Sequence, residues 1–117
     1  MSGLEAVVRR LAERDGIQAA VLASADGLPI ESAGRTPVEA DAVAALAATL
    51  AQHGARLGEG TGRGPLRTAV LEYESGTVVL ARLGHADWLA LLADPAADLG
   101  ELLYDLRQHR PALAALL

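Results

Sequence analysis

The octet GEGTGRGP, residues 58–65, comes nearest to a chemical motif, because glycines let backbone N–H groups crowd around a phosphate. A Walker loop, however, needs G-x-x-x-x-G-K-[ST] between a strand and a helix. Here the order is helix, loop, strand, and all ten Lys+Arg residues are arginine. The octet therefore reads as a flexible connector, from which Arg63, with Arg67 just beyond, can touch an acidic partner surface. His53, His85 and His109 fall in different elements, with no carboxylate or second histidine at ligand spacing, so no metal ligand is assigned. Ser24, Ser32 and Ser75 lack the strand-turn-helix setting of a nucleophile elbow. Asp94 and Asp98 pair two carboxylates, but they stand before a helix, where capping accounts for both. Trp88 opens a strand, a place where a lone aromatic plugs the core. No catalytic residue is assigned, and no cofactor is expected.

Composition excludes further classes. Of 117 residues, 51% are hydrophobic but only 3% aromatic, so the core must be built from Leu, Val and Ala. There is no cysteine, which removes disulfides and thiolate chemistry. A net charge of −5 disfavours binding to a nucleic-acid backbone. Without lysine there is no Schiff-base nucleophile. The opening MSGLEAVVRRLAER is charged and amphipathic, unlike a signal peptide, and no run approaches the roughly eighteen apolar residues of a membrane span. A single cytoplasmic domain over residues 1–117, without membrane insertion, is the expectation.

The elements that must position these residues follow from periodicity. Leu4, Val7, Val8 and Leu11 recur at helical spacing, with a first helix ending near Gly16. IQAAVLAS (17–24) and LPIESA (28–33) form a hairpin about Asp26-Gly27, a type I′ signal. Thr36, Pro37 and Glu39 match an N-cap, a first-turn proline and a capping box, and predict a second helix from there to about Leu57. LRTAVLEY (66–73), TVVLARL (77–83) and WLALLA (88–93) make a meander, and Asp94-Pro95 opens a last helix striped with Leu99, Leu102, Leu103 and Leu106. The order is α-β-β-α-β-β-β-α. Strands such as AAVLA and WLALLA are apolar on both faces, which an antiparallel sheet with a wet side would not be. The prediction is an α/β (α+β) three-layer sandwich, a five-stranded, mainly antiparallel sheet with helices on both faces.

The second helix carries two adjacent apolar stripes. Val43, Leu46, Leu50 and Leu57 suffice to pack on the sheet. Ala44, Ala48, Ala51 and Ala55 then remain to admit a second helix at close range, although alanine is also simply the best helix former. Thr49, Gln52 and Arg56 fill the polar arc.

The hairpin AVLASADGLPI (20–30), the alanine-rich helix after it, the hairpin from Glu72 to Leu83 and Asp98-Leu99-Gly100 together resemble the roadblock / dynein light chain family over nearly the whole chain. The resemblance implies strand order 2-1-5-4-3. It also implies a homodimer whose central helices meet and whose third strands pair, and partners that are Ras-like GTPases or motor complexes. Bacterial members include the MglB-like regulator that stimulates its GTPase. That strand order puts Pro29 on an outer strand, where its missing N–H deprives no neighbour; a bulge is the other reading.

The expected function is a homodimeric adaptor that binds a Ras-like GTPase and modulates its nucleotide cycle. Its dimer interface would use Ala44, Ala48, Ala51 and Ala55, and its partner contacts Gln52 and Arg56. Arg56, Arg63, Arg67 and Arg82 are available as arginine fingers, worth about a thousandfold in rate when well placed, but nothing singles one out. The rivals are a small-molecule sensor of the profilin, PAS or GAF kind, which needs a cavity with convergent polar groups, and a purely structural subunit of a motor or receptor complex. An enzyme with its own substrate ranks last.

Overall fold

The computed structural model describes residues 3–117. Its elements are α1 (Gly3–Ala12), β1 (Ile17–Ala23), β2 (Pro29–Gly34), α2 (Ala40–Gly60), β3 (Thr68–Tyr73), β4 (Gly76–Leu83), β5 (Asp87–Ala93) and α3 (Leu99–Ala114). All strand pairs are antiparallel, in the order β2-β1-β5-β4-β3. The expected element order, layering and strand order all hold.

Burial explains the two kinds of strand. β1 and β5 are buried along nearly their whole length, whereas the edge strand β2 alternates. One face of the sheet offers Ile17, Ala20, Leu22, Val79, Leu83, Leu89 and Leu91 to α1 and α3. The other offers Val21, Ala23, Leu80, Trp88 and Ala90 to α2. A strand covered on both faces has no solvent side to mark with polar residues.

Four local expectations are corrected. The β1–β2 turn is not type I′, because no described non-glycine residue has positive φ, Asp26 included. Instead the Gly27 N–H donates to the Ser24 carbonyl at 3.0 Å, the Ser24 N–H donates to the Leu28 carbonyl at 2.8 Å, and Gly27 takes φ 81°. This is a type I turn followed by a left-handed glycine. Gly27 is required there a second time: a Cβ would lie 3.2 Å from Ala45 Cα of α2. Beyond it the register shifts, so that Ala23 faces Pro29 but Leu22 faces Glu31. Pro29 thus combines both readings, an outer strand and a bulge, and its nitrogen points away from β1.

Thr36 caps nothing. The Arg35 and Thr36 N–H groups both donate to the Gln18 carbonyl, at 2.9 and 3.2 Å, which ties this segment to β1. The helix begins only after the chain has crossed the sheet edge, with Glu39 at the N-cap and no side-chain cap bond. At its other end α2 runs three residues past Leu57. The Thr61 hydroxyl donates to the Leu57 carbonyl at 2.7 Å and the Arg63 N–H to the Gly58 carbonyl at 2.7 Å. Residues 58–60 of the supposed connector are therefore helix, and residues 61–63 a bonded C-terminal turn. Lastly, Asp94 does not open α3: its carboxylate accepts the Ala96 N–H at 2.9 Å in a separate turn, and Asp98 is the N-cap.

Candidate partner-binding surface

Helix α2 is long and alanine-rich, and the sheet beneath it presents small residues, Ala23 and Ala90, between Val21 and Leu80. Small against small brings helix and sheet close together. Ala44, Ala47 and Ala51 are accordingly buried against the chain's own sheet, and Ala48 is buried beside the β1–β2 turn at Gly27. The stripe assigned above to a second helix is used up within the protomer, except for Ala55, which is exposed. The leucines assigned to the sheet point outward: Leu46 is 66% exposed, Leu50 41% and Leu57 70%. Of the sheet-facing set expected, Val43 packs against the sheet and the three leucines turn outward.

The outward leucines do not stand alone. A groove of about 160 Å³ runs between α2 and the β3 side of the sheet, lined by Val43, Leu46, Leu50, Leu71, Tyr73 and Val78 among others. Val70 and Tyr73 of the edge strand β3 are exposed at 46% and 57%. Leu71 and Tyr73 stand on the α2 face of β3 and extend the helix flank into one apolar strip; Val70 turns to the opposite face of the sheet.

Gln52 and Arg56 lie on the opposite flank of α2, exposed. Gln52 and Ala55 share a depression of about 260 Å³ with Arg82, His85 and the buried Trp88. Arg56 does not line it. The three histidines remain apart, each exposed, and among the described residues no group of three His, Asp or Glu side chains is placed to hold a metal ion.

The arginines are distributed in a way the chain order conceals. Arg63 and Arg67 meet Arg107 and Arg110 of α3 around a cavity of about 640 Å³, which none of the acidic side chains lines. One Arg110 Nη donates to Thr68 Oγ1 at 2.7 Å, while its Nε is buried without a partner. Desolvation, with the nearby charges of Arg67, Arg82 and Arg107, lowers the Arg110 pKa from the ordinary arginine value. The glycine-rich octet borders this cavity, but it follows the carbonyl end of α2, which repels anions rather than cradling them. Arg107 and Arg110 went unnoticed in the sequence; their spacing of three on one helix was the available signal.

A further groove of about 570 Å³ separates α1 from α3. Its walls are mostly aliphatic, and its central polar groups are bonded to each other: the Arg14 guanidinium pairs with Asp105 and, at 3.3 Å, with Glu101. Arg10, Glu13 and His109 also line it, and it is a furrow between two helices rather than an enclosed cavity of the kind a sensor needs.

A five-stranded antiparallel sheet faced by a long central helix on one side and two helices on the other, with the third strand at an open sheet edge beside that helix, defines a class of interaction domain. The family model described as the Roadblock/LC7 domain matches residues 3–93, and the chain belongs to that family. The family's domains are generally non-catalytic, regulatory or scaffolding modules. A Roadblock/LC7 domain from Streptomyces avermitilis is 34% identical, with 96% of this chain and 98% of that one covered and a TM-score of 0.82. MglB of Myxococcus xanthus is similar in fold at 19% identity, covering 97% of this chain and 93% of that one, TM-score 0.88. The gliding protein MglB of Thermus thermophilus is similar at 20% identity, covering 99% of this chain and 92% of that one, TM-score 0.87. No curated protein matches the chain. Among the described residues no helix is long and apolar enough to cross a membrane.

Proposed function

We propose that this chain is a homodimeric adaptor that binds a Ras-like GTPase and modulates its nucleotide cycle. The observation that carries the dimer is the strip formed by Leu46, Leu50 and Leu57 with Tyr73, all exposed in the single chain. A patch of this kind marks an interaction surface, and β3 beside it leaves one row of backbone groups unpaired. A second copy related by a twofold axis covers both at once, helix flank against helix flank and strand against strand. The dimer contact is therefore moved from the alanine stripe to the leucine flank.

Support for a GTPase partner comes from family membership and from the likeness in fold to MglB. In the dimer the flank bearing Gln52 and Arg56 faces away from the leucines and stays open, so two polar platforms lie on one side of the assembly. Without a phosphate loop of its own, the protein would act by preferring one nucleotide state, since equal affinity shifts no equilibrium. The GTP state is the expected preference, because its switch loops are ordered into a defined surface.

The test is affinity for the Ras-like GTPases of the source organism, each loaded with a GTP analogue or with GDP. Tighter binding to the GTP form, weakened about tenfold or more by Arg56→Glu in a protein that remains folded and dimeric, is the expected result. Equal affinities would reduce the protein to a scaffold, and binding to neither form would remove the GTPase from the proposal.

A further inference from the structure

Strand β3 carries opposite charges at its two ends. Arg67 precedes it and Arg110 is bonded to its first residue, Thr68, while Glu72 and Glu74 stand at its finish. Its backbone register shows which groups are free. The Arg67 carbonyl accepts the Arg82 N–H at 2.8 Å, and the pairing continues from Thr68↔Ala81 to Tyr73↔Gly76. Bonded pairs alternate along an antiparallel ladder, so residues 67, 69, 71 and 73 turn their backbone to β4. Thr68, Val70 and Glu72 turn theirs outward. These three also share one side-chain face. It is the face of α3, because Arg110 reaches Thr68 across it.

A twofold antiparallel pairing of two such edges uses the outward groups with the fullest overlap when Val70 faces Val70 of the partner subunit. Thr68 then stands opposite Glu72 of the partner subunit, on the same face as Arg110. Directly opposed side chains lie about 5 Å apart at Cβ, within reach of a glutamate extended toward the guanidinium. A slip of one residue would set outward groups against inward ones and reverse the faces. A slip of two toward the chain's start would leave Thr68 opposite Val70 of the partner subunit and lose the charge match.

We infer that the arginine cavity is completed by a second copy of this chain: Glu72 of the partner subunit enters beside Arg110 and pairs with it, twice per dimer, and so sets the register in which the two sheets join. The inference rests on the β3-edge dimer proposed above and adds its register and its polar lock. It accounts for two observations together: the arginine cavity lined by no acidic side chain, and the acidic finish of a strand whose start is basic. The carboxylate also offsets the repulsion that Arg67, Arg82 and Arg107 exert on Arg110.

Charge reversal separates the pairing from the dimer. Arg110→Glu and Glu72→Arg should each weaken self-association about tenfold or more by sedimentation, since either homodimer holds two like-charged contacts. Mixed together, the two variants should form a heterodimer tighter than either homodimer, because both of its contacts are then complementary. The combined variant should dimerise like wild type. Arg110→Gln, which keeps a donor for Thr68, guards against misfolding and should weaken the dimer less than the reversal. A wild-type dimer whose strength neither reversal changes, or a mixture with no heterodimer preference, would overturn the pairing and leave the dimer standing. A wild type that is monomeric at every concentration would overturn both. Saturable binding of inorganic phosphate to the wild-type dimer, abolished by Arg110→Gln, would also overturn the pairing by showing the cavity open.

Discussion

At the start of α3 the Asp98 carboxylate accepts the Glu101 N–H at 3.0 Å and lays negative charge on the positive end of the helix. Truncation to alanine leaves that N–H unsatisfied and removes the charge. Asp98→Ala should therefore lower stability by about 1 kcal/mol, read as a shift of the urea midpoint at constant slope. Thr36→Ala is the control, because the Thr36 contact with β1 runs through its backbone N–H and survives the change. Its effect should stay within about 0.5 kcal/mol, although its sequence setting is the stronger capping signal of the two. A cap signal states which residue can cap, and competition for the backbone decides which does. At Thr36 the Gln18 carbonyl holds the chain extended; no strand competes at Asp98.

Helix α2 can rest close on its sheet because the contact is small against small, and volume is what it cannot accept. Ala44, fully buried, packs in this contact, so Ala44→Leu should overpack it and cost about 1–3 kcal/mol in thermal or chemical denaturation. Leu50→Ala removes a larger side chain from the outer flank and should change protomer stability by no more than about 0.5 kcal/mol. The opposite ranking would mean that the helix is rotated. Periodicity identified this element without ambiguity but not its orientation, since both of its stripes are apolar and a stripe carries no label for what covers it. Leucine outranks alanine in transfer free energy, and on that basis alone it belongs inside. Packing overrides the ranking here: leucines beneath α2 would lift it off Ala23 and Ala90 and reopen the gap at Gly27.

For the whole molecule, the exposed strip along α2 and β3 makes a single chain incomplete. Replacing Leu46 and Leu50 together by Glu should produce a monomer by light scattering, with the far-ultraviolet dichroism of a folded chain, because neither leucine belongs to the protomer's core. A double variant that remains dimeric would place the interface elsewhere. This distinguishes the leucine flank from the alanine stripe, where a charge such as Ala44→Arg would damage the protomer itself before any dimer.

The element order, the sheet covered on both sides and the kind of core were legible in the chain alone, because turn residues and apolar periods act over a few neighbours. The same local rules marked Asp98 and left Pro29 two compatible readings, both of which the bulged outer strand satisfies. What the tertiary structure decided depends on residues far apart in sequence. The outward turn of Leu46 and Leu50 follows from how small Ala23 and Ala90 are. The arginine cavity exists because α3 folds back past the start of β3, which brings Arg107 and Arg110 to Arg63 and Arg67. Neither distance is encoded in a window of adjacent residues; each is set by which surfaces can approach most closely when the whole chain is packed.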